Sequence, residues 1–155
     1  MRRFTGLFLC VLLGLSGIAN AQNAAGHQPQ GMTLRLELFV ADPEKSATFY
    51  TQALGFGRAK SSVGYVPVRA GSVVIGLGLR TNLPRNHYFN PELQSARRGL
   101  GAEIVLEVDD VKASFEKVQA ADAECIVSPL TRRPWGATDF RVVDPDGYYL
   151  RITSR

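Results

Sequence analysis

Leu34 to Ala53 reads LRLELFVADPEKSATFYTQA, and Ala102 to Ala121 reads AEIVLEVDDVKASFEKVQAA; the two stretches align without a gap at an offset of 68 residues. Each opens with apolar residues alternating with others, as in a half-buried strand, meets an acidic turn, and continues with helical spacing. A strand-to-helix unit is therefore written twice. A repeat of this length points to two similar modules around one shared core, with function placed between them.

Working outward, the first strand is predicted over Leu34 to Val40, with Leu36, Leu38 and Val40 on one face and Arg35, Glu37 and Phe39 on the other. Asp42 is placed to cap the following helix, Pro43 suits its first turn, and Gly55 stops it. Further strands are expected over Phe56 to Lys60, Tyr65 to Arg69 and Ser72 to Leu79. In the last of these, Gly76 and Gly78 leave open space above the sheet. The second module repeats the order with strand Glu103 to Val108, helix Val111 to Ala121, and strands near Glu124 to Val127, Asp139 to Val143 and Tyr148 to Thr153. Asp144-Pro145-Asp146-Gly147 suits a tight turn before the last strand. Each module reads β-α-β-β-β, an α+β pattern written twice. Residues 32–80 and about 102–155 form the modules, residues 81–101 the linker, and 32–155 one domain.

Upstream, Arg2 and Arg3, the apolar stretch Leu7 to Ile18 and the small-residue end Ala19-Asn20-Ala21 have the order of a secretory signal peptide over residues 1–21. The stretch is too short to read as a membrane span, and no membrane association is expected after cleavage. Residues 22–31 read as a disordered leader. The expected location is periplasmic or secreted; a true start at Met32 would instead leave the protein in the cytoplasm. Loss of Arg2 and Arg3 lowers the net charge from +4 to +2, and the remaining basic pairs, Arg97-Arg98 and Arg132-Arg133, are isolated, which excludes a nucleic-acid footprint. Only Cys125 survives cleavage, so no internal disulfide is expected; its setting is that of a small buried hydrophobe.

Phe39-Val40-Ala41-Asp42-Pro43-Glu44-Lys45-Ser46 with Phe49-Tyr50 and Leu54-Gly55-Phe56, then Val108-Asp109-Asp110-Val111, then Pro134-Trp135-Gly136 leading to Asp144-Pro145-Asp146-Gly147, resemble the vicinal oxygen chelate superfamily. That superfamily includes glyoxalase, extradiol dioxygenases and the fosfomycin- and bleomycin-resistance proteins. The resemblance covers almost everything from Met32 to Arg155. It implies two modules forming curved mixed sheets around a shared cavity and, in metal-dependent relatives, a ligand at the start of the first strand and one in the last strand of each module. The matching positions here are Arg35, Gly76, Glu103 and Arg151. One carboxylate cannot hold a divalent ion against two guanidiniums that only donate, so neither a metal nor another cofactor is expected. His87, beside Tyr88 in the linker, reads as a solvated loop histidine.

Strand periodicity places Arg35, Glu37 and Phe39, and Glu103, Val105 and Glu107, on the concave faces, with Tyr149, Arg151, Thr153 and Arg141 on the closing strands. Charges on a face that would otherwise be apolar must pair, stay hydrated or hold a ligand. Two readings stand. Arg35, Glu103 and Arg151 form a salt-bridge cluster that fills the site, or the uncompensated positive charge receives a small carboxylate or phosphate-like group. Trp135, Tyr65 and Tyr149 offer flat faces for a ligand, or simply pack the sheet. The expected protein is an exported, metal-free, homodimeric member of this fold that binds a small molecule through Arg35, Glu37, Tyr65, Glu103, Trp135, Tyr149 and Arg151. One alternative is a lyase or isomerase with Glu103 as general base and Arg35 and Arg151 stabilising an anion. Another is a structural or partner-binding domain with a plugged cavity.

Overall fold

The repeated acidic turns do the same work in both modules. Asp42 accepts hydrogen bonds from the Glu44 and Lys45 amides at 2.9 and 3.2 Å, and Asp110 accepts from the Ala113 amide at 2.9 Å, so each turn starts a helix by satisfying orphan donors. The structure, a computed structural model, describes residues 33–90 and 97–155; the expected signal peptide and leader lie outside the described residues. The elements are β1 (Leu36–Val40), α1 (Pro43–Gln52), β2 (Gly57–Arg58), β3 (Tyr65–Ala70), β4 (Val73–Leu79), β5 (Ile104–Val108), α2 (Val111–Asp122), β6 (Ile126–Arg132), β7 (Thr138–Val143) and β8 (Tyr149–Ser154). They form two four-stranded mixed sheets, ordered β1-β4-β3-β2 and β5-β8-β7-β6. The edge strands β1 and β5 run parallel to β4 and β8, and the other pairs are antiparallel. This is the α+β architecture of two β-α-β-β-β modules.

One face of each sheet packs against its helix. Leu38 and Val40 of β1, Ile75 and Leu77 of β4, and Ala47, Phe49 and Tyr50 of α1 are buried together. Phe140, Val142, Leu150, Ile152 and Val118 form the equivalent core in the second module, where Phe115 meets Phe140 edge-on at 5.3 Å. Gly55, at φ 76°, takes the left-handed conformation that ends α1 and lets the Phe56 amide reach back to the Tyr50 carbonyl at 3.0 Å.

Most strand boundaries lie within a residue of expectation, and three strands depart further. Leu34 is 87% exposed and unpaired, because the β1 register against β4 begins at Leu36 opposite Ile75. Phe56 packs its ring on Tyr50 at 5.7 Å instead of entering β2, which is thereby reduced to two residues. Strand β6 starts at Ile126 and runs to Arg132 through Pro129; Glu124 and Cys125 lie in a short 3-10 turn before it. Pro129 is tolerated because β6 is a sheet edge whose pairing shifts register between Ser128 and Thr131, so no ladder donor is missed.

The Asp144 to Gly147 turn does more than close a hairpin. The Asp146 carboxylate accepts from the Ala41 amide at 2.7 Å and the Ser46 hydroxyl at 3.0 Å, placing a negative charge at the N-terminus of α1 in the other module. Asp144 accepts from the Asp146 and Tyr148 amides at 3.0 and 2.9 Å and from the Tyr50 hydroxyl at 3.0 Å. Burial nevertheless outweighs these bonds and raises the Asp144 carboxyl from 3.8 to about 6. Because the folded value is raised, this group contributes stability that is complete below its unfolded value and is lost as pH rises through about 6. The loss is on the order of 2–3 kcal/mol. Asp144→Asn keeps the acceptor for the two amides and removes the titration. Its stability measured from pH 4 to 7 should therefore gain on the wild type by that amount, and parallel curves would show that Asp144 is not the group responsible.

Candidate functional site

The concave face of the first sheet carries a closed polar cluster. Arg35, just before β1, pairs with Glu37 at 2.6 Å and donates to the Tyr65 hydroxyl, which in turn donates to the Glu37 carboxylate at 3.1 Å. The Arg35 guanidinium also lies over the Tyr65 ring, 5.6 Å from its centre. These side chains occupy the space that Gly76 and Gly78 were expected to leave open. A Cβ at Gly76 would overlap the Glu37 carboxylate and the Tyr65 hydroxyl, and one at Gly78 would touch Phe39 and Tyr65. Glu37 and Gly76 are direct neighbours in the β1–β4 register, which is why the carboxylate settles on the glycine.

The second sheet is arranged differently. Glu103 lies between Arg141 and Arg151, at 3.7 and 3.6 Å from their Nε atoms. The expected grouping of Arg35, Glu103 and Arg151 is thus divided: Arg35 belongs to the Glu37–Tyr65 cluster, and Arg141 takes its place beside Glu103. Alongside them, Arg133 binds the fully buried Asp139 at 2.6 Å and donates to Ser128 at 3.1 Å. Tyr149 shares the face of Arg151 on β8 and is half-buried. Trp135 stands 63% exposed at the tip of the β6–β7 hairpin, where the Gly136 amide bonds the Arg133 carbonyl at 3.0 Å.

A cavity of about 540 Å³ opens where the linker crosses the concave side of β1, lined by Glu37, Phe39, Tyr88, Phe89, Arg97 and Tyr148 among others. Of the ligand-binding candidates read from the sequence, Glu37 alone lines it. The Tyr148 hydroxyl donates to the Phe39 carbonyl at 3.1 Å and accepts from the Phe39 amide at 3.2 Å, satisfying the backbone of the edge strand while its ring walls the cavity. Burial raises the Tyr148 phenol above its ordinary value, so it keeps the proton it donates. His87 lies in the linker loop and is half-buried. Its ring packs edge-on against Phe39 at 5.6 Å and lies 5.3 Å from Phe89, and its Nδ1 accepts from the Phe89 amide at 3.2 Å. The run His87-Tyr88-Phe89 was the available signal: three consecutive rings in a linker otherwise lacking apolar periodicity.

Cys125 takes no part in this chemistry, since burial pushes its thiol up to about 11 and keeps it protonated near neutral pH. The four positions matching metal ligands do not fit an ion. Arg35 and Arg151 donate only, Gly76 lies beneath Glu37, and Glu103 faces two guanidiniums. Among the described residues, no three His, Cys, Asp or Glu side chains converge as a metal site.

Solved structures share this fold. The crystal structure of TioX from Micromonospora sp. ML1 superposes with a TM-score of 0.63 at 23% identity, over 80% of this chain and 98% of that one. A glyoxalase/bleomycin resistance protein/dioxygenase from Nocardioides gives 0.65 at 22% identity, over 81% and 83%. A protein of unknown function from Agrobacterium tumefaciens str. C58 gives 0.64 at 24%, over 81% and 96%. No curated protein matches the chain in sequence. The family model described as Glyoxalase/Bleomycin resistance protein/Dioxygenase superfamily matches residues 33–152, and with the paired β-α-β-β-β modules this makes the chain a member of that superfamily.

Proposed function

We propose that this protein binds a small molecule bearing an aromatic ring in the cavity above β1, and that it does so without a metal. The observation that carries the reading is the cavity itself. Its volume of about 540 Å³ falls within the usual range for ligand sites. Its walls include Phe39, Tyr88, Phe89 and Tyr148, with Glu37 and Arg97 as polar groups to orient a ligand's edge. Tyr88 and Phe89 are adjacent aromatic residues, 89% and 43% exposed, at the edge of this cavity. Binding without metal chemistry is supported by the donor set at the four matching positions, which repels a cation at two of them. A lyase or isomerase with Glu103 as general base would draw on Arg35 and Arg151 to stabilise an anion, and Arg35 is engaged by Glu37 and Tyr65.

Titration with an aromatic probe such as naphthalene-2-sulfonate, followed by amide NMR, tests the site. Shifts should centre on Phe39, Phe89 and Tyr148. Phe39→Ala, which removes a ring wall, should weaken binding by about tenfold, the equivalent of roughly 1.4 kcal/mol. Undiminished binding by that variant would overturn the assignment. Elemental analysis should find no stoichiometric zinc, nickel, manganese or iron, and a chelator should leave the melting temperature unchanged; one tightly held equivalent of metal would defeat the metal-free reading.

A further inference from the structure

Arg141 of β7 and Arg151 of β8 are directly opposite one another in the antiparallel register, an arrangement that like charges disfavour unless an anion sits between or above them. Glu103 supplies one carboxylate for the two. It does so loosely, because its oxygens lie 3.7 and 3.6 Å from the Nε atoms, outside hydrogen-bond range, and both Nε–H groups are buried without a hydrogen-bond partner. Neither of the other acids of this face forms an ion pair with Arg141 or Arg151. Asp139 is bound by Arg133 at 2.6 Å, and Glu107 pairs in register with Thr153, two residues along from the Val105–Arg151 pair. One positive charge therefore remains on the pair of guanidiniums.

We infer that Arg141 and Arg151 form a binding site for a small oxyanion, a carboxylate or phosphate group, on the concave face of the second sheet. The side chains are 23% and 27% exposed, so their outer edges reach solvent while their stems are held by the sheet. Two guanidiniums borne opposite one another on neighbouring strands supply the forked donors that planar or tetrahedral oxyanions accept, and a half-desolvated setting strengthens each bond. Glu103, on the Nε side of both guanidiniums, lowers their net charge to one. Neither arginine lines the aromatic cavity, so this site stands independently of the aromatic-ligand reading.

The test is titration of the protein with inorganic phosphate and, separately, with acetate at constant ionic strength and pH 7, read on the side-chain Nε–H resonances of Arg141 and Arg151. Saturable shifts of both resonances at millimolar concentration are expected. Phosphate binding more tightly would identify a phosphate-type ligand, and acetate binding more tightly a carboxylate. Arg141→Met and Arg151→Met should each weaken binding about tenfold or more, Arg151→Lys should recover only part of it, and Glu103→Gln should tighten it several-fold. Phe39→Ala should leave it unchanged, which separates failure of this site from failure of the cavity. Shifts that stay linear in anion concentration, or affinities indifferent to both arginine substitutions, would overturn the assignment.

Discussion

Arg133→Met is expected to cost about 3–5 kcal/mol of folding stability, because it strands a buried charge. Asp139 is fully buried in β7, and the Arg133 guanidinium reaches its Oδ1 through Nη2 at 2.6 Å and Nε at 2.8 Å. The second carboxylate oxygen has no hydrogen-bond partner, so the guanidinium carries the compensation for the whole group. With the Arg133 side chain itself only 17% exposed, solvent screens the pair little, unlike the exposed Lys112–Glu116 and Arg155–Asp109 pairs, whose loss should be barely measurable. Adding Asp139→Asn to Arg133→Met removes the stranded charge and should restore at least half of the loss. Urea unfolding of the wild type, both single variants and the double variant measures the coupling, which should exceed about 2 kcal/mol. Additive costs would show that the two side chains do not act as a unit.

Tyr50 should show the next largest effect, in two separable parts. Its ring is fully buried and meets Phe49 and Phe56 edge-on at 5.5 and 5.7 Å, so Tyr50→Ala should lose about 3–5 kcal/mol through lost contacts and the cavity left behind. Tyr50→Phe keeps the ring and removes only the hydroxyl that donates to Asp144 across the module junction at 3.0 Å. That hydroxyl favours the charged carboxylate and partly offsets the burial that raises Asp144 to about 6. The cost of Tyr50→Phe, about 1–3 kcal/mol, should therefore be seen at pH 8, where Asp144 is ionised, and shrink at pH 5, where it is mostly protonated. Thermal midpoints of wild type and variant at the two pH values check this. Equal costs at both would mean that the hydroxyl's bond to the carboxylate is not what the substitution removes.

What was legible in the chain was everything that depends on local period. Alternation over Leu36 to Val40 and Ile104 to Val108 assigns each side chain to a sheet face because successive strand residues point in opposite directions, and the structure keeps those faces. The caps at Asp42 and Asp110 were legible for the same reason: a side chain two or three residues from the amide it serves needs no tertiary information. The extent of β6 through Pro129 was not legible, because a strand's tolerance of proline depends on whether it is an edge, which is a property of strand order and not of local sequence.

The charged partners could not be read in this way. Arg35, Arg141 and Arg151 were all assignable to concave faces, yet which guanidinium meets which carboxylate depends on cross-strand register and on a glycine beneath one rung. Gly76 lets Glu37 fold down between Arg35 and Tyr65, whereas on the second sheet Arg141 and Arg151 stand opposite each other with Glu103 between them. The cavity lay further still beyond the sequence. Phe39, Phe89 and Tyr148 are far apart along the chain, and a linker without apolar period gives no face to assign, so His87 could not be placed on Phe39 in advance. The sequence by itself determined the two modules, the helix caps and the side of each sheet that carries charge, because those follow from short-range geometry. Only the tertiary structure decided which charges meet and where the linker closes a cavity, because those depend on distances between segments that local spacing does not constrain.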